Sequence, residues 1–200
     1  MASIEYVDRM GATSSVYTQG FCDGAIAVVN ANFFVEANNR KHPLGLLKIN
    51  GRSISRTSPR KSGGFLVIDD EGGVIVLPRS QEPQAEATRD VIQSTPVLVL
   101  NGHDDMRRDQ RDLFDRVAVG NTQSGAIVIV GAFAQDQETI SLAEFSLLAL
   151  TAAALKGIEL DGLLGMDGGP SAHIWFPKDG ALYGHRGPVY LPSVVCVTPR

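Results

Sequence analysis

The stretch Leu163-Leu164-Gly165-Met166-Asp167-Gly168-Gly169-Pro170-Ser171-Ala172-His173 constrains this chain most, because an apolar run stops at a carboxylate, two glycines and a proline. A short apolar run closed by turn residues reads as a buried strand that delivers Asp167 to a tight turn. Glycines have no Cβ, so they accept φ > 0 and let a ligand approach backbone N–H groups, while Asp167 brings charge and Ser171 a donor. The same Asp-Gly-Gly-Pro is also an ordinary turn signal, since Asp and Gly dominate turns for local reasons. On this segment alone both readings stand.

Two hundred residues suit one domain, taken as residues 1–200, and are enough for a sizeable core. A net charge of -4 with interspersed signs argues against a nucleic-acid surface, where a basic face is expected. It does not exclude an anionic small ligand, because one local Arg can hold a phosphate whatever the total charge. No apolar run approaches the ~20 residues that span a bilayer. Met1 to Met10 lacks the basic-then-apolar layout of a signal peptide, so the expectation is a soluble cytoplasmic protein, or a secreted or envelope one if a leader was removed. Cys22 and Cys196 can form one disulfide if the first and last strands are neighbours, or stay as buried thiols. The balance falls toward free thiols.

Most of the chain alternates turn chemistry with short apolar stretches. Strands are expected at Val16-Tyr17-Thr18 and from Ala25, ending at Asn30 to Phe34. Hairpins are expected at 44–55 around Asn50-Gly51, at 64–77 around Asp69 to Gly73, and at 116–130 around Asn121 to Gly125. Arg79 to Ala87 is polar and proline-containing and reads as a surface loop before a strand from Pro96 to Leu100. His103 to Asp115 is charged and reads as a solvated loop or short helix, or a lid. Its Asp104, Asp105, Asp109 and Asp112 do not follow calcium-loop spacing.

Ser141 and Glu144 have capping-box spacing, which predicts a helix to about Lys156 that stops at Gly157. Leu142, Phe145, Leu148, Ala149, Ala152 and Leu155 give it a face to press onto a sheet. Strands at 160–167, at Trp175-Phe176 and from Val189 to Val197 complete the pattern. The expected class is α+β: a largely antiparallel or mixed sheet with the 141–156 helix packed on it. The Asp-Gly-Gly precedes no helix signal, which disfavours Rossmann and P-loop readings.

Four segments carry a resemblance: Val28 to Phe34 with Asn30-Ala31-Asn32-Phe33-Phe34, Ile92 to Leu98 with Gln93-Ser94-Thr95-Pro96, Arg116 to Gly120, and Met166 to Ser171. In this order they resemble the phosphodiester glycosidase family, whose pattern is an Asn-x-x-Phe-Phe strand end, a Gln-x-x-Pro segment, an Arg strand, then Leu-Asp-Gly-Gly-Gly-Ser after a helix. The resemblance spans about residues 25 to 175. Met166 stands where the family has Leu, Pro170 replaces the third Gly, and Ala172-His173 follows the Ser. Proline has no N–H, so one phosphate-binding donor is absent.

The resemblance implies a hydrolase that breaks the C1–O bond of a sugar 1-phosphodiester. The leaving group is a phosphate monoester, so strong protonation matters less than stabilising phosphate charge and placing a carboxylate near the oxocarbenium-like carbon. Arg116 and the Gly168-Gly169 turn are candidates for the first task, and Asp167, as nucleophile or general base, for the second. Arg116 is equally a partner for its neighbour Asp115.

Asn30 orients sugar hydroxyls or caps its strand. Gln93, Asn101 and Ser171 are further candidates for ligand contacts. His173 suits an acid or, more simply, a satisfied structural histidine. Trp175 and Tyr183 can stack on a sugar or fill a core. A second carboxylate is open among Asp115, Asp161 and Glu36. No cofactor is expected, and the expected partner is a sugar-phosphate substrate.

Two other classes compete. One is a binding module that keeps the pocket without turnover, suggested by Pro170 and Ala172-His173. The other is a metal-dependent phosphoesterase using Asp167, His173 and the 104–112 carboxylates, whose spacing fits no defined metal set.

Overall fold

The computed structural model describes residues 1–6, 22–37, 40–59, 63–106, 112–134, 139–184 and 191–199. A first five-stranded sheet has the order β1 (Ala2–Tyr6), β17 (Ser193–Val197), β2 (Ala27–Asn30), β15 (His173–Phe176) and β16 (Ala181–Gly184). A second runs β11 (His103–Asp104), β10 (Val97–Leu100), β14 (Leu160–Gly165), β12 (Arg116–Thr122) and β13 (Ile127–Ala132). A third runs β6 (Arg52–Ser55), β5 (Leu47–Ile49), β9 (Asp90–Ser94), β7 (Gly64–Ile68) and β8 (Val74–Pro78). A separate two-stranded hairpin pairs β3 (Phe34–Ala37) with β4 (Arg40–Pro43). Every strand pairing among the described residues is antiparallel.

The strands read as continuous apolar runs because both faces are buried, each against a different cluster. One face of each large sheet meets a shared core that holds Val29, Ala31 and Val195 from the first, Val119, Leu164 and Met166 from the second, and Leu66, Val76 and Ile92 from the third. The alternate residues point outward. Leu163, Ala118 and Leu98 join Phe145, Ala149 and Ala153 of the helix α2 (Leu142–Leu155). Val67 and Val91 join Ala85 of α1 (Glu82–Ala87). Val28, Val194 and Cys196 join Cys22, Phe34, Trp175 and Leu191.

The expected hairpins form with the expected turn. Asn50 and Gly51 have φ of 51° and 77°, the double left-handed geometry of a type I′ turn between β5 and β6. The Ser141 side chain accepts from the Glu144 N–H at 3.3 Å, and Glu144 Oε2 accepts from the Ser141 N–H at 3.0 Å, closing the capping box of α2. β13 and β14 both run antiparallel to β12, so α2 is the crossover of a β–α–β unit that skips one strand.

Several expectations change. Arg79 to Ala87 is not a loop: Arg79–Gln81 forms a 3-10 turn and α1 follows. Proline is tolerated in the first turn of α1, where its missing N–H has no partner to lose, and Ala85 is fully buried. With α1 and α2 the only α-helices among the described residues, the expected largely antiparallel sheet structure is present and the fold is predominantly β. Val16 to Thr18, Asp109 and the start of the 189–197 strand lie outside the described residues. No helix among the described residues is long and apolar enough to cross a membrane.

Cys22 and Cys196 are joined in a disulfide, with Cα atoms 5.7 Å apart, correcting the preference for free thiols. The sequence hid this because only the pairing of β17 with β2 brings Cys196 beside the entry to β2. The cytoplasmic expectation loses its support too, since disulfides persist in oxidising compartments. The crosslink joins residues separated by 174 positions, so it restricts nearly the whole unfolded chain. The double variant Cys22→Ser/Cys196→Ser is expected to lose about 2–4 kcal/mol in urea unfolding, with the native far-ultraviolet spectrum retained before the transition.

Candidate active site

β14 leaves its sheet where bonds reach it from residues of, or next to, all three large sheets. The Gly165 N–H donates to the Pro96 oxygen at 2.8 Å, and Ser94 Oγ at the end of β9 donates to the Gly165 oxygen at 2.7 Å. One residue later the Met166 N–H donates to Val117 of β12 at 2.9 Å, and the Asp167 N–H then crosses to the Ala31 oxygen, just past β2, at 3.1 Å. Asp167 thus sits at the seam where the chain passes from the second sheet to the first.

The turn after it needs glycine for two different reasons. Gly169 has φ +58°, in the left-handed region. Gly168 is crowded: a Cβ there would lie 3.0 Å from the Asp115 main-chain oxygen, tighter than an ordinary contact.

Asn30 clamps this turn from both sides. Its Nδ2 donates to the main-chain oxygen of Asp167 at 2.7 Å, and its Oδ1 accepts from the His173 N–H at 3.0 Å. Both amide ends are therefore used, and the orienting role that the sequence offered falls on the backbone of the turn. The Asp167 carboxylate accepts from the Ser171 side chain and the Gly168 N–H, and Lys41 acts on it as a cation. Burial outweighs all three and pushes its pKa up to about 6. A carboxylate so placed exchanges a proton near neutrality while remaining mostly ionised at pH 7.

The expectation that the Gly168-Gly169 turn offers N–H groups to a phosphate is corrected. The Gly168 N–H serves the Asp167 carboxylate, and the Gly169 N–H serves the Asp115 oxygen at 2.8 Å. Pro170 has no N–H, and those of Ser171 and Ala172 close the 3-10 turn onto Gly168 and Gly169 at 3.2 and 3.0 Å. Each turn donor thus has an acceptor within the protein.

Arg116 opens β12 beside this turn. Its Nε donates to the Ile140 oxygen at 3.2 Å and its Nη2 to the Asp112 oxygen at 2.6 Å, while Nη1 is the nitrogen beside Gly168. The guanidinium carbon lies 5.2 Å from the centre of the Phe114 ring. Burial lowers its pKa, and Asp112 opposes that. The suspected pairing with Asp115 does not form, because Asp115 Oδ1 accepts from the Ala134 N–H at 3.0 Å and from the Thr139 hydroxyl.

The structure gathers Asn30, Arg116, Asp167, Gly168, Gly169, Ser171 and His173. His173 is buried, with Nδ1 3.0 Å from the Ser171 oxygen, as a structural histidine would be. Two candidates fall elsewhere. Gln93 Oε1 accepts from the N–H groups of Leu46 and Ser58 at 2.9 and 2.8 Å, so its side chain ties the third sheet to its loop. Asn101 has φ 50° in the β10–β11 turn, whose Gly102 bonds Asp161, at the start of β14 and the opposite end from Asp167.

Asp161 is held there too, by Asn121 Nδ2 at 3.1 Å. Trp175 packs in the outer cluster of the first sheet, and Tyr183 stacks on Phe133 with ring centres 6.4 Å apart. Among the described residues no three His, Cys, Asp or Glu side chains gather to hold a metal ion.

Sequence reasoning missed Lys41. No hairpin was expected at 34–43, so the alternation that puts Phe34, Glu36 and Lys41 on one face went unread.

No curated protein matches the chain. Among solved structures, the catalytic domain of zebrafish N-acetylglucosamine-1-phosphodiester alpha-N-acetylglucosaminidase, auto-inhibited by its pro-peptide, superposes with a TM-score of 0.71 at 15% identity, covering 100% of this chain and 73% of that one. A hypothetical protein from Synechocystis superposes at 0.65 and 13% identity, covering 98% of this chain and 56% of that one. At such identities the likeness is one of fold. The family description matching residues 23–197 is that of the phosphodiester glycosidases, and with most of its length matched the chain belongs to that family.

Proposed function

We propose that the protein hydrolyses the glycosidic C1–O bond of a sugar 1-phosphodiester, with Asp167 as nucleophile or general base. The observation that carries this reading is the Asp167 carboxylate itself, desolvated, with its pKa pushed up to about 6, on a turn whose main chain Asn30 holds at the seam of two sheets. In the direct route Asp167 takes a proton from water, the oxygen bonds to C1, and the electron pair of the C1–O bond leaves on the phosphate monoester. In the two-step route the Asp167 carboxylate bonds to C1 as the C1–O electron pair leaves on the phosphate monoester, and water then displaces the carboxylate from C1 and gives up a proton to solvent. Both routes need Asp167 ionised, and neither demands a strong acid, because a phosphate monoester is a good leaving group.

Arg116 Nη1 supplies positive charge beside the turn. Family membership and the shared fold support this reading. The Cys22–Cys196 disulfide supports an oxidising compartment as its place of work. The competing reading, a binding module without turnover, is favoured by Pro170 in the turn and is separated by the same assay: tight sugar-phosphate binding with no product.

Incubation with a GlcNAc-1-phosphodiester is expected to release free sugar, and Asp167→Asn to lower turnover by at least ~100-fold. Full activity in that variant removes Asp167 from the mechanism. Because the reactive form is ionised, kcat/KM is expected to rise with pH through an apparent pKa of about 6.

The same carboxylate costs stability. Its folded pKa is raised above the unfolded value of 3.8, so the folded state holds the proton longer, and stability present below about pH 4 is lost as pH rises through about 6. Discounted for partial exposure, Asp167→Asn is expected to be more stable than the parent by about 1–3 kcal/mol at pH 7, with the gap closing toward pH 4. Urea unfolding at both pH values reads this directly.

A further inference from the structure

The segment that leads into β12 lies along the Asp167 turn and is fastened to it by the Gly169 N–H on the Asp115 main-chain oxygen at 2.8 Å. Phe114 and Arg116 stand on either side of Asp115 and take the same side of that segment, with the guanidinium carbon 5.2 Å from the centre of the ring. The Asp115 carboxylate goes elsewhere, to the Ala134 N–H and the Thr139 hydroxyl. One carbonyl sets both neighbours: the Ile140 oxygen accepts from the Phe114 N–H at 3.3 Å and from Arg116 Nε at 3.2 Å.

The guanidinium and the ring flank successive residues of the turn. A Cβ on Gly168 would lie 3.5 Å from Arg116 Nη1, and one on Gly169 would lie 3.7 Å from Phe114 Cδ1, an ordinary van der Waals distance. Acid, cation and aromatic ring therefore belong to residues 167, 168 and 169 in that order, whose α-carbons are about 3.8 Å apart. Phe114 is 43% exposed. A single exposed apolar side chain is ordinary on a surface, but this one edges the turn of a desolvated carboxylate, beside a partly buried cation.

We infer that Phe114 is a specificity-determining residue whose exposed ring packs against the alcohol on the far side of the phosphate, so that the protein selects sugar 1-phosphodiesters whose alcohol presents a flat apolar face. This rests on the proposed reading of the Asp167 site, with C1 at the carboxylate and the phosphate at Arg116. Such a diester repeats the order of the turn: C1, phosphate, then the second alcohol. An aromatic face holds flat apolar groups through dispersion and the burial of both surfaces. The contact is remote from C1, and the alcohol departs still joined to its phosphate. It is therefore equally strong in the ground and transition states, and it lowers KM rather than raising kcat.

The test compares the methyl and benzyl esters of GlcNAc 1-phosphate on the parent, Phe114→Ala, Phe114→Leu and Phe114→Tyr. The two leave with near-equal ease, because the alcohol lies across phosphorus from the bond that breaks. The parent is expected to favour the benzyl ester about 10-fold in kcat/KM, mostly through KM, and Phe114→Tyr to keep that preference. It is expected to fall below ~2-fold in Phe114→Ala and to shrink in Phe114→Leu, which retains apolar bulk without the flat face. GlcNAc 1-phosphate has no second alcohol, and calorimetry is expected to find it bound by Phe114→Ala within ~2-fold of the parent.

A parent that does not distinguish the esters it cleaves, or a preference that survives in both Phe114→Ala and Phe114→Leu, overturns the inference and leaves hydrolysis standing. Equal loss of both esters and of GlcNAc 1-phosphate in Phe114→Ala overturns it too, since the ring then only steadies Arg116 or meets the sugar. If the parent cleaves neither ester, hydrolysis fails and calorimetry with the same pair decides for Phe114. Benzyl ester bound about 10-fold tighter than methyl, with the difference lost in Phe114→Ala, upholds the ring's role. Equal binding, or none, overturns it.

Discussion

The exit of β14 is the constraint on which this molecule turns. Over Gly165, Met166 and Asp167 the backbone bonds successively to the strand cluster around Pro96, to β12 and to the end of β2. Three sheets are thereby stitched at one point, and the packing follows from it. Leu164 and Met166 enter the shared core, Leu163 faces α2, and the chain then moves to the first sheet to become β15. The main chain of Asp167 is held on both sides as a result, its N–H by the Ala31 oxygen and its oxygen by Asn30 Nδ2. Sites on such scaffold ends hold geometry better than sites on loop tips.

The closure of the turn's own hydrogen bonds has an electrostatic consequence. A glycine-rich turn whose N–H groups point outward is an anion nest. Here the Gly168 and Gly169 donors are turned onto Asp167 and Asp115, and the proline sits where the 3-10 turn needs no donor. Replacing a glycine by Pro170 therefore costs the fold little, and it stiffens the segment that positions Ser171 against the carboxylate. The turn serves to hold Asp167, and the Arg116 guanidinium stands beside it at the start of β12.

How much of this was legible in the sequence depended on how local the cause was. The type I′ turn at Asn50-Gly51 and the capping box at Ser141 and Glu144 are short-range chemistry, and both formed as expected. Asp167 at a strand end was readable from the apolar run before it. Pairings of distant strands were not. The disulfide follows from β17 lying beside β2, and the clamp of Asn30 on Asp167 and His173 spans contacts 137 and 143 residues apart.

Polarity alone misled at Gln93 and Asn101. A buried amide is satisfied wherever the nearest unpaired backbone group lies, and for Gln93 that was Leu46 and Ser58. At Asn101 the residue type answered to a left-handed turn. Arg79 to Ala87 misled in the opposite sense, because proline reads as a breaker although it suits a helix's first turn.

The carboxylates divide according to what their oxygens meet. Asp69 Oδ1 accepts from the N–H groups of Glu71 and Gly73 at 2.9 and 2.7 Å, Asp104 Oδ1 from Met106 and Ser146, and Asp115 from Ala134 and Thr139. Each of these is spent on fixing a turn or a loop. Asp167 also accepts from a hydroxyl and an N–H, yet burial among the converging sheets overrides them and lifts its pKa to about 6. A carboxylate that served only the fold would gain from the exposure or the extra donors its counterparts have. Keeping one desolvated costs free energy that its hydrogen bonds only partly offset, and that cost is what the proposed role of Asp167 would explain.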